Sequence, residues 1–204
     1  MWDQSSGTPT SCSTVADLMP GTSSKCKISS LTVPITVVTP TGSVQLVKDI
    51  VPNSDTGKFN LSVTPSGGTA ATATDVGDGG SATKSSITAG TVVTLAETAG
   101  TGTSLAHYTS SLACVNSATG ASVPVTSNQI TMPTPPIGIV CTYTNTRKSA
   151  TLQLKKQWSN AKVGDSASLT ATGIVNSATA ALDSTAGSAN ELDAGTAVTV
   201  YAGE

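Results

Sequence analysis

Three polar side chains occupy positions where strand patterning calls for apolar ones. In SVQLVKDIV (residues 43–51) Val44, Leu46 and Lys48 fall on one face, and in AGTVVTLAE (89–97) Val93, Leu95 and Glu97 do the same. In IVCTYTNTR (139–147) the alternation of Ile139, Cys141 and Tyr143 carries on to Asn145. An amine, a carboxyl and a carboxamide therefore share the inward stripes of three strands. A lysine amine attacks a carboxamide only when neutral, and burial without a full counter-charge favours the neutral form. A neutral carboxyl beside them would polarise the Asn145 carbonyl and carry protons to departing ammonia, and folding would supply the effective concentration. Two plainer readings stand beside this one: a Lys48–Glu97 ion pair capped by Asn145, or three unrelated surface residues.

The cysteines supply a second kind of chemistry. Cys12, Cys26, Cys114 and Cys141 form two well-separated pairs, without the short C-x-x-C spacing of a zinc knuckle, and the single histidine, His107, is isolated. Two disulfides, Cys12–Cys26 and Cys114–Cys141, fit this pattern better than buried free thiols, the default in a reducing cytosol, and if the bonds form the compartment is oxidising and outside the cytoplasm. Asp75 and Asp78 lack the ligand order and closing Glu of a calcium loop, so no metal is expected. No nucleophile elbow, phosphate loop or His-Glu metal motif occurs, and no cofactor is implied. A crosslink formed once is not turnover, and the chain is not read as an enzyme.

The elements that must position these groups are strands. Of 204 residues 37% are hydrophobic but only 3% aromatic and 11% charged, with 19 Gly, 10 Pro and abundant Ser, Thr and Ala. Small β-branched residues between regular Gly/Pro turns predict an all-β chain with thin cores that crosslinks would help to hold. A net charge of −2 with scattered lysines argues against a nucleic-acid surface, which needs a concentrated basic patch. No apolar run is long enough to cross a bilayer, and MWDQSSGTPT lacks the regions of a signal peptide, which predicts a mature chain or a slice of a longer one. FNLSVTP is a further strand with Phe59, Leu61 and Val63 in phase, PNSDTGKF is a turn, and residues 65–84 read as loop with at most a weak Ala/Thr strand.

The chain also repeats itself. LQLKKQW (152–158) lays over VQLVKDI (44–50), placing Lys156 on Lys48, and AGTAVTVYAGE (194–204) lays over AGTVVTLAE, placing Glu204 on Glu97 after two extra residues. Repetition at domain length predicts an array of modules. Three segments follow: 1–40, the C-terminal part of a preceding module with one or two edge strands in 28–40; 41–148, a complete module; and 149–204, the N-terminal half of a similar one.

Taken together, the lysine of VQLVKDI, the glutamate of AGTVVTLAE, a Tyr and a Cys in LAHYTSSLACV and the closing VCTYTNT resemble the prealbumin-like, SpaA/CnaB-type repeats of bacterial surface proteins, adhesins and pilins. The resemblance covers 41–148 fully and 149–204 in part; residues 1–40 resemble the end of another Ig-like repeat. It implies tandem two-sheet β-sandwich modules at the bacterial cell surface. In many such repeats a spontaneous isopeptide bond joins the opening-strand lysine to the closing-strand asparagine, with the glutamate as promoter; here these are Lys48, Asn145 and Glu97. The expected role is a structural segment of an extracellular stalk or filament, whose partners are neighbouring modules or copies of the same protein. The alternative is an adhesin module that binds a cell-surface ligand, but Trp2, Trp158 and Tyr201 lie too far apart in sequence to claim an aromatic hot spot.

Overall fold

A computed structural model describes residues 10–11, 26–27, 38–174 and 178–203. The chain divides into two units, Met1–Thr39 and Pro40–Glu204. In the first, β1 (Thr10–Ser11) pairs in parallel with β2 (Cys26–Lys27). The expected Cys12–Cys26 disulfide and nearly all of the edge strands expected in 28–40 lie outside the described residues.

In the second unit nine strands build a sandwich. They are β3 (Thr41–Val51), β4 (Phe59–Pro65), β5 (Ala71–Val76), β6 (Ser81–Thr88), β7 (Val92–Ala99), β8 (Tyr108–Asn116), β9 (Ser122–Val123), β10 (Gln129–Thr131) and β11 (Gly138–Arg147). One sheet runs β6-β3-β11-β8-β9 and the other β10-β7-β4-β5. Period-2 alternation turns Val44, Leu46 and Ile50 of β3, Leu61 and Val63 of β4, Val93 and Leu95 of β7 and Ile139 and Cys141 of β11 into the space between the sheets, where all are buried. A smaller cluster of Ile50, Phe59 and Tyr108 fills one end.

The opening and closing strands are neighbours. β3 and β11 run parallel, with Cys141 beside Leu46 and Tyr143 beside Lys48, whereas β11 and β8 run antiparallel. A parallel pair cannot be joined by a tight turn, and here almost the whole module intervenes between the two partners. Residues 65–84 hold more strand than expected: the Ala/Thr run allowed as a weak strand is formed in full, and residues 81–84 belong to β6. Ala71–Val76 is a full edge strand against β4, because alternating Ala and Thr give a strand once a neighbour supplies the ladder, and Asp75 takes a positive φ of 51° where the register shifts.

After Arg147 six short strands form three antiparallel pairs. β12 (Ser149–Leu152) pairs with β17 (Val198–Tyr201), β13 (Lys155–Trp158) with β16 (Glu191–Ala194), and β14 (Ser166–Thr172) with β15 (Thr179–Thr185). Trp158, Ala180 and Leu182 are their buried apolar groups, with Ala186 buried just after β15.

Cys114 and Cys141 face each other across β8 and β11 and are joined as a disulfide closing a 27-residue separation. Both are buried, so the bond ties the closing strand to its antiparallel neighbour inside the core. Loop closure of that length is worth about 3 to 4 kcal/mol in the chain-entropy account. Replacing both cysteines by alanine should lower the unfolding free energy by about that amount in a denaturant titration. An unchanged midpoint would show that the bridge adds nothing to the fold.

Candidate functional site

Lys48 follows Val44 and Leu46 on the inward face of β3 and is itself buried, at 1% exposure. Glu97 follows Val93 and Leu95 on β7 and reaches the same point from the opposite sheet. Asn145 follows Cys141 and Tyr143 on β11, the parallel neighbour of β3, and is fully buried. The three meet in the interior. Lys48 Nζ lies 3.0 Å from Glu97 Oε1, and Asn145 Nδ2 donates to Glu97 Oε2 at 2.9 Å. One carboxylate thus holds the amine on one oxygen and the carboxamide nitrogen on the other.

The surroundings fix the lysine further. Nζ donates to the Tyr143 carbonyl at 2.9 Å and to the Asp49 carbonyl at 3.1 Å, and it sits 4.5 Å from the centre of the Phe59 ring. Burial lowers the Lys48 pKa below the usual lysine range, more than the hydrogen bond and charge of Glu97 and the charges of Asp49 and Asp78 raise it. Burial, with the Glu97 charge second, raises the Tyr143 phenol, which donates to the Leu95 carbonyl at 3.4 Å. The Asn145 carbonyl oxygen, expected on chemical grounds to be polarised by Glu97, instead faces no donor: it is buried with no hydrogen-bond partner. Such an atom is uncommon in a folded interior and marks the carboxamide as incompletely satisfied.

A second buried polar cluster went unseen in the sequence. Arg147, two residues beyond Asn145 on the same inward face, places Nη1 2.9 Å from Asp55 Oδ2 and 3.1 Å from the Tyr108 hydroxyl. Tyr108 donates to Asp55 Oδ1 at 2.8 Å, and the Gly57 amide donates to the same oxygen at 2.7 Å. A Cβ on Gly57 would stand 2.5 Å from the Tyr108 hydroxyl, so only glycine allows this approach. The signal available in the sequence was the phase of Arg147; Asp55, in a turn, gave none. Tyr108 packs edge-to-face on Phe59 with ring centres 5.3 Å apart, which joins this cluster to the wall of the lysine site.

The other expected residues are accounted for separately. Lys156 is half-buried on β13, with Nζ 4.3 Å from the centre of the Trp158 ring, while Glu204 lies outside the described residues. Asp75 accepts from the Thr101 amide and hydroxyl at 2.7 and 2.9 Å, and Asp78 accepts from the Ile50 amide at 2.8 Å. His107 accepts the Lys148 amide on its carbonyl. Among the described residues no three His, Cys, Asp or Glu side chains converge as metal ligands, and no helix is long and apolar enough to cross a membrane.

Burial alone would raise the Asp55 pKa, but the Gly57 amide, Arg147 and Tyr108 together outweigh it and the pKa falls below the usual range. Burial, and then Asp55, push the Tyr108 phenol up to about 12. Burial would lower the Arg147 pKa, but the hydrogen bond and charge of Asp55 outweigh it and raise it further. A carboxyl with a depressed folded pKa contributes stability above its unfolded pKa, roughly 3.9, and loses it as pH falls through the folded value. Asp55→Asn should therefore flatten the loss of unfolding free energy below about pH 4, relative to the unmodified chain. Identical acid slopes in the two proteins would show that Asp55 titrates alike in the folded and unfolded states.

Among solved structures, a bacterial adhesin from Mobiluncus mulieris, described as containing intramolecular disulfide, isopeptide and ester bond cross-links, is 18% identical, with a TM-score of 0.40 over 52% of this chain and 41% of its own. The major pilin protein T-13 from Streptococcus pyogenes is 17% identical, with a TM-score of 0.38 over 53% of this chain and 46% of its own. The chain spans less than half the length of either. No curated protein matches it. Residues 43–147, the stretch that carries both sheets, the disulfide and the Lys48–Glu97–Asn145 cluster, match the SpaA-type prealbumin-like fold domain, and the chain belongs to that family.

Proposed function

We propose that the chain is a structural segment of an extracellular bacterial surface stalk or filament, in which residues 41–148 form a module that crosslinks itself through Lys48 and Asn145. The observation that carries this reading is the single buried carboxylate holding both reacting groups, 3.0 Å from the amine and 2.9 Å from the carboxamide nitrogen. Family membership and a buried disulfide, which persists only in oxidising compartments, support the location. In this reading residues 149–204 begin a second module of the same kind, and the partners are neighbouring modules or further copies.

The chemistry balances with the residues present. Lys48 passes a proton to Glu97 Oε1 and becomes a neutral amine, a transfer that its depressed pKa favours. Its nitrogen forms a bond to Asn145 Cγ while the Cγ–Nδ2 bond breaks. Nζ sheds a second proton as this bond forms. Of the two, one reaches Nδ2 through Glu97, which already touches that atom, so that nitrogen leaves as ammonia, and the other stays on the Glu97 carboxyl or leaves with the ammonia as ammonium. The product is one secondary amide, and no oxidant or cofactor is required. Its mechanical sense follows from topology: β3 and β11 lie side by side, so a bond between them joins the first strand of the module to the last.

A ligand-binding adhesin module has less support. Tyr108, Tyr143 and Trp158 are buried, and the exposed large apolar residues among the described ones are aliphatic and stand apart in sequence, with no Trp, Tyr or Phe among them. Intact-mass spectrometry of the fully reduced chain should give a mass lower than the sequence value by one ammonia, and Glu97→Ala or Lys48→Met should restore it. A reduced mass equal to the sequence value would leave the buried ion pair and overturn the covalent reading.

A further inference from the structure

The closing strand does not end in a linker. Arg147 spends Nη1 on Asp55 and Tyr108, and its remaining donors turn toward the segment that follows: Nε and Nη2 both donate to the Ala202 carbonyl, at 3.1 and 2.6 Å. The Ala202 amide donates to the Lys148 carbonyl at 2.8 Å, and the Lys148 amide donates to the His107 carbonyl at 2.9 Å. Lys148 Nζ adds a bond to the Ala106 carbonyl at 2.8 Å. Lys148 alone separates β11 from β12, and β12 is paired from its first residue, Ser149 opposite Tyr201. Gly203, with φ +96°, completes the contact, since a Cβ there would meet Arg147 Nη2 and His107 Cε1 at 3.1 Å.

We propose that this is a rigid joint and that Arg147 is its positioning residue, fixing residues 149–203 onto the module 41–148 so that the two turn as one body. The side-chain chemistry suits the task. A guanidinium carries five donors in one plane, enough to bind a carboxylate and a hydroxyl on one edge and to grip a carbonyl with two parallel N–H groups on the other. Asp55 and Tyr108 fix that plane from inside the module, so the outward edge is held before Ala202 arrives. A flexible connection between bodies needs several residues with unpaired backbone, and here none of Arg147, Lys148 and Ser149 is unpaired. The residue gripped, Ala202, directly follows the strand Val198–Tyr201 within the AGTAVTVYAGE repeat of the Glu97-bearing stretch, so the joint seats the second copy of that motif beside the end of the first module.

Amide hydrogen exchange on the 204-residue chain tests this, with two variants that treat the buried charge differently. Arg147→Lys keeps a cation beside Asp55 but loses the fork; the double variant Asp55→Asn/Arg147→Gln leaves no unpaired charge in the core. Both should speed exchange in 149–152 and 198–202 at least about tenfold while leaving β3 and β11 as protected as before. Unchanged protection of 149–152 and 198–202 in both variants would overturn the joint. Equal acceleration across β3 and β11 would also overturn it, since Arg147 would then serve only the stability of its own module. The mass of the crosslinked chain does not enter this measurement, so the joint and the crosslink stand or fall apart.

Discussion

The constraint on which the module depends is a lysine kept out of water. Lys48 replaces an apolar residue in the inward stripe of β3, and a buried ammonium is tolerated only with a counter-charge and its hydrogen bonds satisfied. Glu97 supplies the charge from the opposite sheet, and the Tyr143 and Asp49 carbonyls take two of the protons. Removing one partner of such a pair costs about 3–5 kcal/mol, so the registers of β3, β7 and β11 have to agree at this one height in the sandwich. A slip of one residue in any of them would turn its polar group out to solvent and strand the others.

That agreement has to be secured in a core short of large side chains. Most of the inward positions are Val, Leu, Ile and Ala, and the one phenylalanine, Phe59, stands against the lysine. The disulfide sits four residues before Asn145 on β11 and fixes the register with β8, while the parallel ladder with β3 sets Tyr143 beside Lys48. β11 thus carries the bridge, the carboxamide and the arginine on one face, at Cys141, Asn145 and Arg147. The outward face of the same strand is Val140, Thr142, Thr144 and Thr146, where Thr144 donates its hydroxyl to Asp49 Oδ2 at 2.9 Å.

Much of this was legible because period-2 patterning reports faces without reference to partners. Lys48, Glu97 and Asn145 could be assigned inward from their own strands, and Cys114 and Cys141 could be paired by their separation from the other two cysteines. The parallel contact of β3 with β11 could not be read, since alternation is the same for parallel and antiparallel neighbours. β5 was legible only as a weak strand for a related reason: Ala71–Val76 has no large apolar side chain before its terminal Val76, and the ladder offered by β4 makes it a full strand. Asp55 was hidden because a turn residue carries no periodicity, and its burial depends on an arginine ninety-two positions away. The side of the Asn145 amide that meets Glu97 is likewise set by side-chain packing, which a single strand pattern does not encode.

The two buried acid–base clusters differ in what they can do, although both pair a cation with a carboxylate inside one sandwich. Arginine stays protonated at any pH the fold survives, and Asp55 pushes its pKa higher still, so the Arg147–Asp55 pair has no route to a neutral nucleophile. It also faces a phenol and a peptide carbonyl, neither of which offers a leaving group. Lysine is the cation that burial can neutralise, and its carboxylate partner touches a carboxamide nitrogen that can depart as ammonia. Exchanging the two cations would therefore leave the charges of the module intact and remove the crosslinking proposed for it. In the proposed reading, Lys on β3 and Arg at the end of β11 separate a place that reacts once from a place that only holds, and the Phe59 ring that stands over Lys48 also meets the Tyr108 ring edge-to-face.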